Sequence, residues 1–201
     1  MMKARKAALG LLCAFVLVIG SVAATVAYLT SEASVTNTFT VGQVGIELDE
    51  QKVDEYGKAI AGANRVEANE YKLIPGQTYV KDPTVHFAAG SEASWLFVKI
   101  DNGIAGIEVE GDDAIADQIE ANGWEQLDGV SGVYWKSVDK NDSDDAEDYP
   151  IFSKFAIDGN KATNEVLKES YAGKTVVVTA YAVQQAGFET AAAAWSATFG
   201  K

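Results

Sequence analysis

Apolar and polar positions follow two different rhythms along this chain. One uninterrupted apolar run covers residues 7–27. After it, apolar residues recur at every second position in several short segments, which is the period of half-buried β-strands. A long apolar run followed by many short alternating segments predicts an export or membrane element in front of a β-rich domain.

The first 27 residues have the layout of a secretory signal peptide. Three basic residues lie among the first six, and the apolar run that follows closes on small residues. We therefore expect residues 1–27 to be removed by cleavage between Ala27 and Tyr28. The alternative is an uncleaved anchor, because the run is long enough to cross about 30 Å of hydrocarbon as a helix. Under either interpretation the rest of the chain faces outward.

The segment directly after the leader has a high β propensity. Phe39 and Val41 fall on one face of a predicted strand in residues 36–48. After Gly42 the alternation changes phase, and the following set consists of Val44, Ile46 and Leu48. A glycine at a change of phase is typical of a bulge or bend within a strand.

The remaining pattern predicts further strands and two short helices. Residues 94–100 form a nearly continuous apolar segment, which predicts a central strand, and 124–127 with 133–138 predict a hairpin. The segment 73–87 predicts a strand that lies at an edge or begins at Pro83, because proline cannot donate to a ladder. Further strands are predicted at 151–157 and 175–183, and helices at 111–123 and 190–199.

Two polar segments separate these elements. Residues 49–69 predict a long loop or small hairpin, with a weak strand at Ala59–Ile60, and residues 139–148 predict a solvated loop. The total is about eight strands, spaced as in a β-sandwich. Residues 28–201 therefore predict one all-β domain with short helices.

Charge and cysteine content narrow the range of functions. The chain has a net charge of −13, which becomes −16 without the three basic residues of the leader. Such an acidic domain repels phosphate backbones, so we expect no nucleic-acid partner, and membrane contact only through the leader before cleavage. The single cysteine, Cys13, leaves with the leader, so the stability of the exported domain cannot rest on disulfides.

Several segments together resemble a known family of exported proteins. They are the junction AYLTSEASVTNTFTVGQVGIEL, the block IPGQTYVKDPTV, the strand SWLFVKI, and the C-terminal TAYAVQ and ETAAAAW. These segments are similar to the TasA/camelysin family of Gram-positive bacteria, whose members are exported with a SipW-type signal peptidase and include fibre subunits of the biofilm matrix. The resemblance covers most of the chain.

This resemblance implies a jelly-roll-like β-sandwich and a secreted structural protein of the cell surface or biofilm matrix. It further implies self-association into fibres, or assembly with matrix co-subunits, through a freed N-terminal arm that adds as a strand to the next subunit. The arm would be residues 28–41, with apolar side chains at Tyr28, Leu29, Val35, Phe39 and Val41. Two alternatives remain: the arm folds back as the first strand of its own domain, or the protein is a monomeric adhesin or binding module.

Catalytic chemistry finds little support in the residues. Camelysin has been described as a metalloprotease, but this chain has one histidine, His86, whereas a protease zinc site usually takes two or three. We expect His86 to be a solvent-facing or hydrogen-bonded strand residue. The acidic residues 139–148 lack the glycine and glutamate of an EF-hand, although a looser calcium site stays open as an alternative. We therefore expect no enzyme activity, no cofactor and no metal site, and we expect the tryptophans to pack rather than to bind sugars.

Overall fold

The computed structural model describes residues 43–200 of the chain, and the elements below are those of this range. Most of the regular structure consists of strands. They are β1 (Ile46–Asp49), β2 (Thr78–Val80), β3 (Thr84–Phe87), β4 (Ser94–Asn102), β5 (Glu125–Gln126), β6 (Val133–Val138), β7 (Glu147–Pro150), β8 (Lys154–Ala156) and β9 (Val176–Gln184). The helical elements are α1 (Ile115–Ala121), α2 (Asn164–Val166), a π-helical turn (Leu167–Tyr171) and α3 (Ala191–Thr198).

The strands form three antiparallel sheets. Their orders are β1-β3-β7, β2-β8 and β5-β6-β4-β9. The expected all-β class with short helices is therefore confirmed at this level. Within residues 43–200, no helix is both long and apolar enough to cross a bilayer.

Strand β4 is the centre of the four-stranded sheet, as its apolar sequence predicts. It pairs with β6 on one side and with β9 on the other. Leu96 and Val98 point into the main core, whereas Phe97 points to the opposite face. Both faces of β4 are buried because each side of the sheet has its own apolar cluster, and this explains the continuous apolar run.

The main core lies between the sheets and beneath α1. Its largest fully buried side chains include Trp124, Tyr79, Phe87 and Phe152. Helix α1 contributes Ile115 and Ile119, which recur at helical spacing and therefore fall on the same face. The helix predicted in residues 111–123 and the hairpin formed by β5 and β6 are both confirmed.

Helix α3 covers the opposite face of the four-stranded sheet. Thr190 caps its first turn, since its hydroxyl oxygen accepts a hydrogen bond from the Ala193 amide at 3.2 Å. Trp195 packs against Phe97 and Tyr181, with ring centroids 5.2 and 5.5 Å apart. The predicted C-terminal helix is confirmed, and it closes a second, smaller core.

The strands predicted at 73–87, 59–60 and 151–157 differ in extent from the observed ones. The single strand predicted in 73–87 is wrong, because the segment forms two strands: β2 pairs with β8, and β3 begins at Thr84, directly after Pro83, in the middle of another sheet. The weak strand predicted at Ala59–Ile60 is reduced to a single bridge between Val53 and Ala59. At 151–157 the ladder covers only Lys154–Ala156, and Ile151 and Phe152 lie buried in the core ahead of it.

The prediction of a solvated loop at 139–148 is wrong in two respects. Residues Glu147–Pro150 form β7, and Asn141 is fully buried. The Asn141 side-chain amide donates to the carbonyl oxygens of Phe87 and Asp145, at 3.1 and 2.9 Å. Its Oδ1 accepts from the backbone amide of Ser143 at 3.0 Å. Asn141 therefore organises the loop from within.

Replacing Asn141 by alanine is expected to lower the free energy of unfolding by about 1–3 kcal/mol, because the buried carbonyl oxygen of Phe87 loses its side-chain donor. Urea denaturation followed by tryptophan fluorescence measures the change. The neighbouring exposed residue offers a matched control, and Asp142→Ala should leave the denaturation midpoint essentially unchanged. Equal midpoints for both variants would contradict an organising role for Asn141.

Candidate functional site

An apolar cleft of about 960 Å³ opens between β1 and β9. The end of β1 and the start of β9 form two of its walls, and residues 67–73 and 164–175 form the others. Its apolar lining includes Leu48, Leu73, Ile104, Phe155, Leu167, Val176, Val177 and Val178. This volume lies within the range of about 300–1,000 Å³ that is typical of ligand pockets, so the cleft has room for a segment of peptide.

Strand β9 presents a partly uncovered apolar face beside this cleft. Its alternate residues Val176, Val178, Ala180 and Ala182 pack against the main core but remain only partly buried. Among residues 43–200, β9 pairs with β4 alone. Within this range, the other edge of β9 therefore offers backbone donors and acceptors to a further strand.

Two tyrosines hold the wall formed by residues 67–73. The Tyr79 hydroxyl donates to the carbonyl oxygen of Lys72 at 3.0 Å and accepts from the Ile74 amide at 2.6 Å. Tyr71 donates to the Val80 carbonyl oxygen at 3.0 Å. The rings of Tyr79 and Phe155 stack with centroids 4.8 Å apart. Burial, as the largest effect, raises the pKa of both phenols, so they remain neutral donors at physiological pH.

A buried ion pair lies where this wall meets β1. Lys81 Nζ is 2.5 Å from Glu50 Oε2, and the two side chains are only 10% and 4% exposed. The Asn69 side-chain amide donates to Glu50 Oε1 at 2.9 Å and to the Gln51 carbonyl oxygen at 2.8 Å. The ion pair thus ties β1, the 67–73 wall and the end of β2 together.

The π-helical turn supplies the opposite wall. Leu167 points into the cleft, while Lys168 and Tyr171 line its rim. The hydroxyl oxygen of Tyr171 lies so close to Gly106 that a Cβ atom there would be 2.5 Å away. Glycine at position 106 therefore permits this wall to approach the body of the domain.

The cleft is apolar inside and charged around its rim. Both signs occur in the lining, which includes Lys72, Lys168, Lys174, Glu67 and Glu70. An apolar floor with polar edges suits a segment with one apolar and one polar face. Backbone hydrogen bonds from such a segment give affinity, and its alternate side chains fill the apolar space.

The residues that the sequence singled out lie mostly elsewhere. The cleavage junction Ala27–Tyr28 and the arm residues Leu29, Val35, Phe39 and Val41 fall outside the described residues. Val44, Ile46 and Leu48 pack together against the main core, as the second alternating set predicts. His86 is a hydrogen-bonded strand residue, as expected, with both ring nitrogens next to carboxylates.

The structure also shows how the tryptophans pack and how the acidic side chains are arranged. Trp124 and Trp195 are buried, and Trp95 packs edge-on against Trp135 with ring centroids 5.4 Å apart. The expectation that the tryptophans pack is confirmed. Residues 43–200 contain no group of three or more His, Cys, Asp or Glu side chains arranged to hold a metal ion.

No local sequence pattern predicts the walls of the cleft. Glu50 and Lys81 are 31 positions apart, and no local pattern pairs them. The π-helical turn has no periodic signal of its own. The sequence of β9 gives one indication, because its alternate residues at 176–182 are apolar. In the structure these residues are only partly buried, and β9 is the edge strand of its sheet.

Comparison of the chain with models of known families, with curated proteins and with solved structures gave no match in any of the three searches.

Proposed function

We propose that this protein is a secreted structural protein of the bacterial surface or biofilm matrix, a fibre subunit whose N-terminal arm adds as a strand to the next subunit. The observation that carries the proposal is the cleft beside β9, where an apolar strand face and an unpaired edge coincide within the described residues. The function is structural rather than enzymatic. The partners are further copies of the chain or matrix co-subunits.

The proposal includes the finer assignments that the family resemblance implies. Residues 1–27 are the signal peptide, a SipW-type peptidase cleaves after Ala27, and the sandwich has a jelly-roll arrangement. Three antiparallel sheets that contribute to one core support the sandwich. Until cleavage, the leader tethers the arm to the membrane, which explains why fibres would form only outside the cell.

The arm has the side-chain pattern that the cleft requires. Odd positions from 29 to 41 include Leu29, Ala33, Val35, Phe39 and Val41, whereas the even positions from 30 to 40 are threonine, serine and Glu32. Successive side chains of a strand point to opposite faces. One face of an extended arm is therefore largely apolar and the other polar, which matches the floor and rim of the cleft.

The position of Gln43 supports one direction for the proposed assembly. Its carbonyl oxygen accepts from the Glu92 amide at 2.9 Å, and Ala93 is hydrogen-bonded to Gln185, just after β9 ends. The chain therefore enters the described domain at the end of β9 that is remote from Val176 and the cleft. An arm that leaves at one end and a cleft that opens at the other fit a head-to-tail contact, which generates an open fibre.

In a head-to-tail contact, the arm would run antiparallel to β9 of the next subunit. Residues 38–41, close to the donor domain, would then lie near Val176–Val178, and residues 28–31 near the far end of β9. The exported chain contains no cysteine, so engineered pairs can test this register directly. Val177 is 45% exposed on β9. Thr38 occupies an even position, which would fall on the polar face of an extended arm.

The test uses the chain from Tyr28 onward with two cysteines, Thr38→Cys and Val177→Cys, under oxidising conditions. We expect a ladder of disulfide-linked oligomers on non-reducing gels and filaments in negative-stain electron microscopy. The control pair Thr30→Cys and Val177→Cys should yield little cross-linking, since disulfides require Cα atoms within about 7 Å.

Two other outcomes would overturn the fibre proposal. A cross-linked monomer would show that the arm folds back onto its own domain. Uncross-linked monomers at high concentration, without filaments at neutral or acidic pH, would favour a monomeric adhesin or binding module of the same fold.

A further inference from the structure

His86 lies at the centre of the three-stranded sheet and contacts both neighbouring strands. Its Nε2 is 2.8 Å from Asp49 Oδ1 on β1, and its Nδ1 is 2.6 Å from Asp148 Oδ1 on β7. The side chain is 20% exposed. One imidazole ring therefore bridges all three strands of the sheet.

Both partners of the ring are hydrogen-bond acceptors. A neutral imidazole has one N–H group and one lone pair, so it satisfies one carboxylate and turns its lone pair toward the other. An imidazolium donates from both nitrogens. Both hydrogen bonds of His86 can therefore form only when the ring carries a proton on each nitrogen.

The surrounding charges also favour the protonated form of His86. Glu47 is the cross-strand neighbour of His86 on β1, so a third carboxylate shares this face of the sheet. Arg65 binds Asp49 at 2.5 Å and Asp82 at 2.9 Å, so it offsets part of this negative charge. Burial by itself lowers the pKa of His86, but the hydrogen bonds and the charges of Asp49 and Asp148 outweigh it, and the pKa is raised.

We propose that protonated His86 acts as a latch that holds β1 to β3 and β7, and that alkaline pH releases it. The chain enters the domain through β1, so the latch fixes the base of the N-terminal segment. The latch involves only residues of the described domain. It holds whether or not the N-terminal arm enters a second subunit.

The sign of the pH dependence follows from the direction of the two pKa shifts. Because the folded state raises the pKa of His86, the stabilisation is fully present below the unfolded value of about 6.5 and disappears as pH rises through the folded value. For Asp49, burial raises the pKa. The hydrogen bonds from Arg65 and His86 lower it by a larger amount, so the net shift is downward. Its contribution is lost as pH falls through that lowered value.

Because His86 is the only histidine, its ring protons give unique signals in an NMR titration. With the chain from Tyr28 onward, we expect a pKa above 6.5. We also expect hydrogen exchange in peptides covering β1, corrected for intrinsic rates, to accelerate at least fivefold across that titration. Peptides covering β4 should show no such step. A pKa of 6.5 or lower, or constant protection of β1, would overturn the latch.

Two variants separate the latch from a general effect of pH. Asp148→Asn keeps an acceptor beside Nδ1 but removes the charge, so the His86 pKa and the step in β1 exchange should both move to lower pH. His86→Gln should abolish the step. The exposed Asp142→Asn serves as the matched control and should leave the titration unchanged. A step in β1 exchange that persists in His86→Gln would assign it to another group and refute the proposal.

Discussion

Lys81→Met is expected to lower the free energy of unfolding by about 3–5 kcal/mol, because it leaves the Glu50 carboxylate buried without its cation. A chain of this size loses about 2–4 °C of melting temperature per kcal/mol, so the midpoint should fall by about 6–20 °C. Differential scanning calorimetry of the chain from Tyr28 onward measures both quantities. Methionine matches the length of the lysine stem, so the change removes charge more than volume.

A double variant tests whether the loss comes from the unpaired charge. Glu50→Leu combined with Lys81→Met should recover much of the stability, since a buried ion pair replaced by apolar side chains of similar size is often nearly neutral. The exposed pair of Lys99 and Asp101 is the control, and Lys99→Met should barely change the midpoint. If the double variant were as unstable as Lys81→Met, lost packing rather than an orphaned charge would be the cause.

The same ion pair determines the shape of the cleft. Glu50 also accepts from Asn69, which holds the 67–73 wall against β1. Opening this wall would widen the cleft and expose Leu73 and Phe155. Lys81→Met should therefore weaken any assembly through the cleft even under conditions where the domain remains folded.

The sequence predicts elements whose patterns are local. Strand β4, the β5-β6 hairpin, α1 and α3 all follow from apolar periodicity with turn or capping residues at their ends. The burial of Asn141 does not follow from the local sequence, because an asparagine among acidic residues is typical of a solvated loop. Its burial depends on the carbonyl oxygen of Phe87, which is 54 positions away.

The cleft itself could not be predicted because its walls come from distant parts of the chain. β1 contacts β9 in the folded domain, although more than 120 residues separate them. An alternating strand predicts that one face is buried but does not identify what covers it. The incomplete burial of Val176 and Val178 is therefore a property of the assembled sheets, and it appears only when they are packed together.

Replacing Phe39 and Val41 together by serine is expected to raise the critical concentration for filament formation by about a hundredfold or more. Each large apolar side chain contributes about 1.5–3 kcal/mol when buried, and each 1.4 kcal/mol is a factor of ten in affinity. Sedimentation of the chain from Tyr28 onward at increasing concentration measures the threshold. Electron microscopy of the pellets identifies the filaments.

The polar face of the same arm gives a matched control. Thr38→Ser together with Thr40→Ser changes the polar residues that alternate with Phe39 and Val41 in the sequence, and assembly should stay close to that of the parent chain. The melting temperature of the dilute monomer then distinguishes an arm that pairs with its own domain from an arm that pairs with a neighbouring subunit. If Phe39→Ser with Val41→Ser lowers the melting temperature of the monomer and leaves the threshold unchanged, the arm is a strand of its own domain. A higher threshold with an unchanged monomer melting temperature is the result that strand exchange requires, because the lost contacts then belong to the neighbouring subunit.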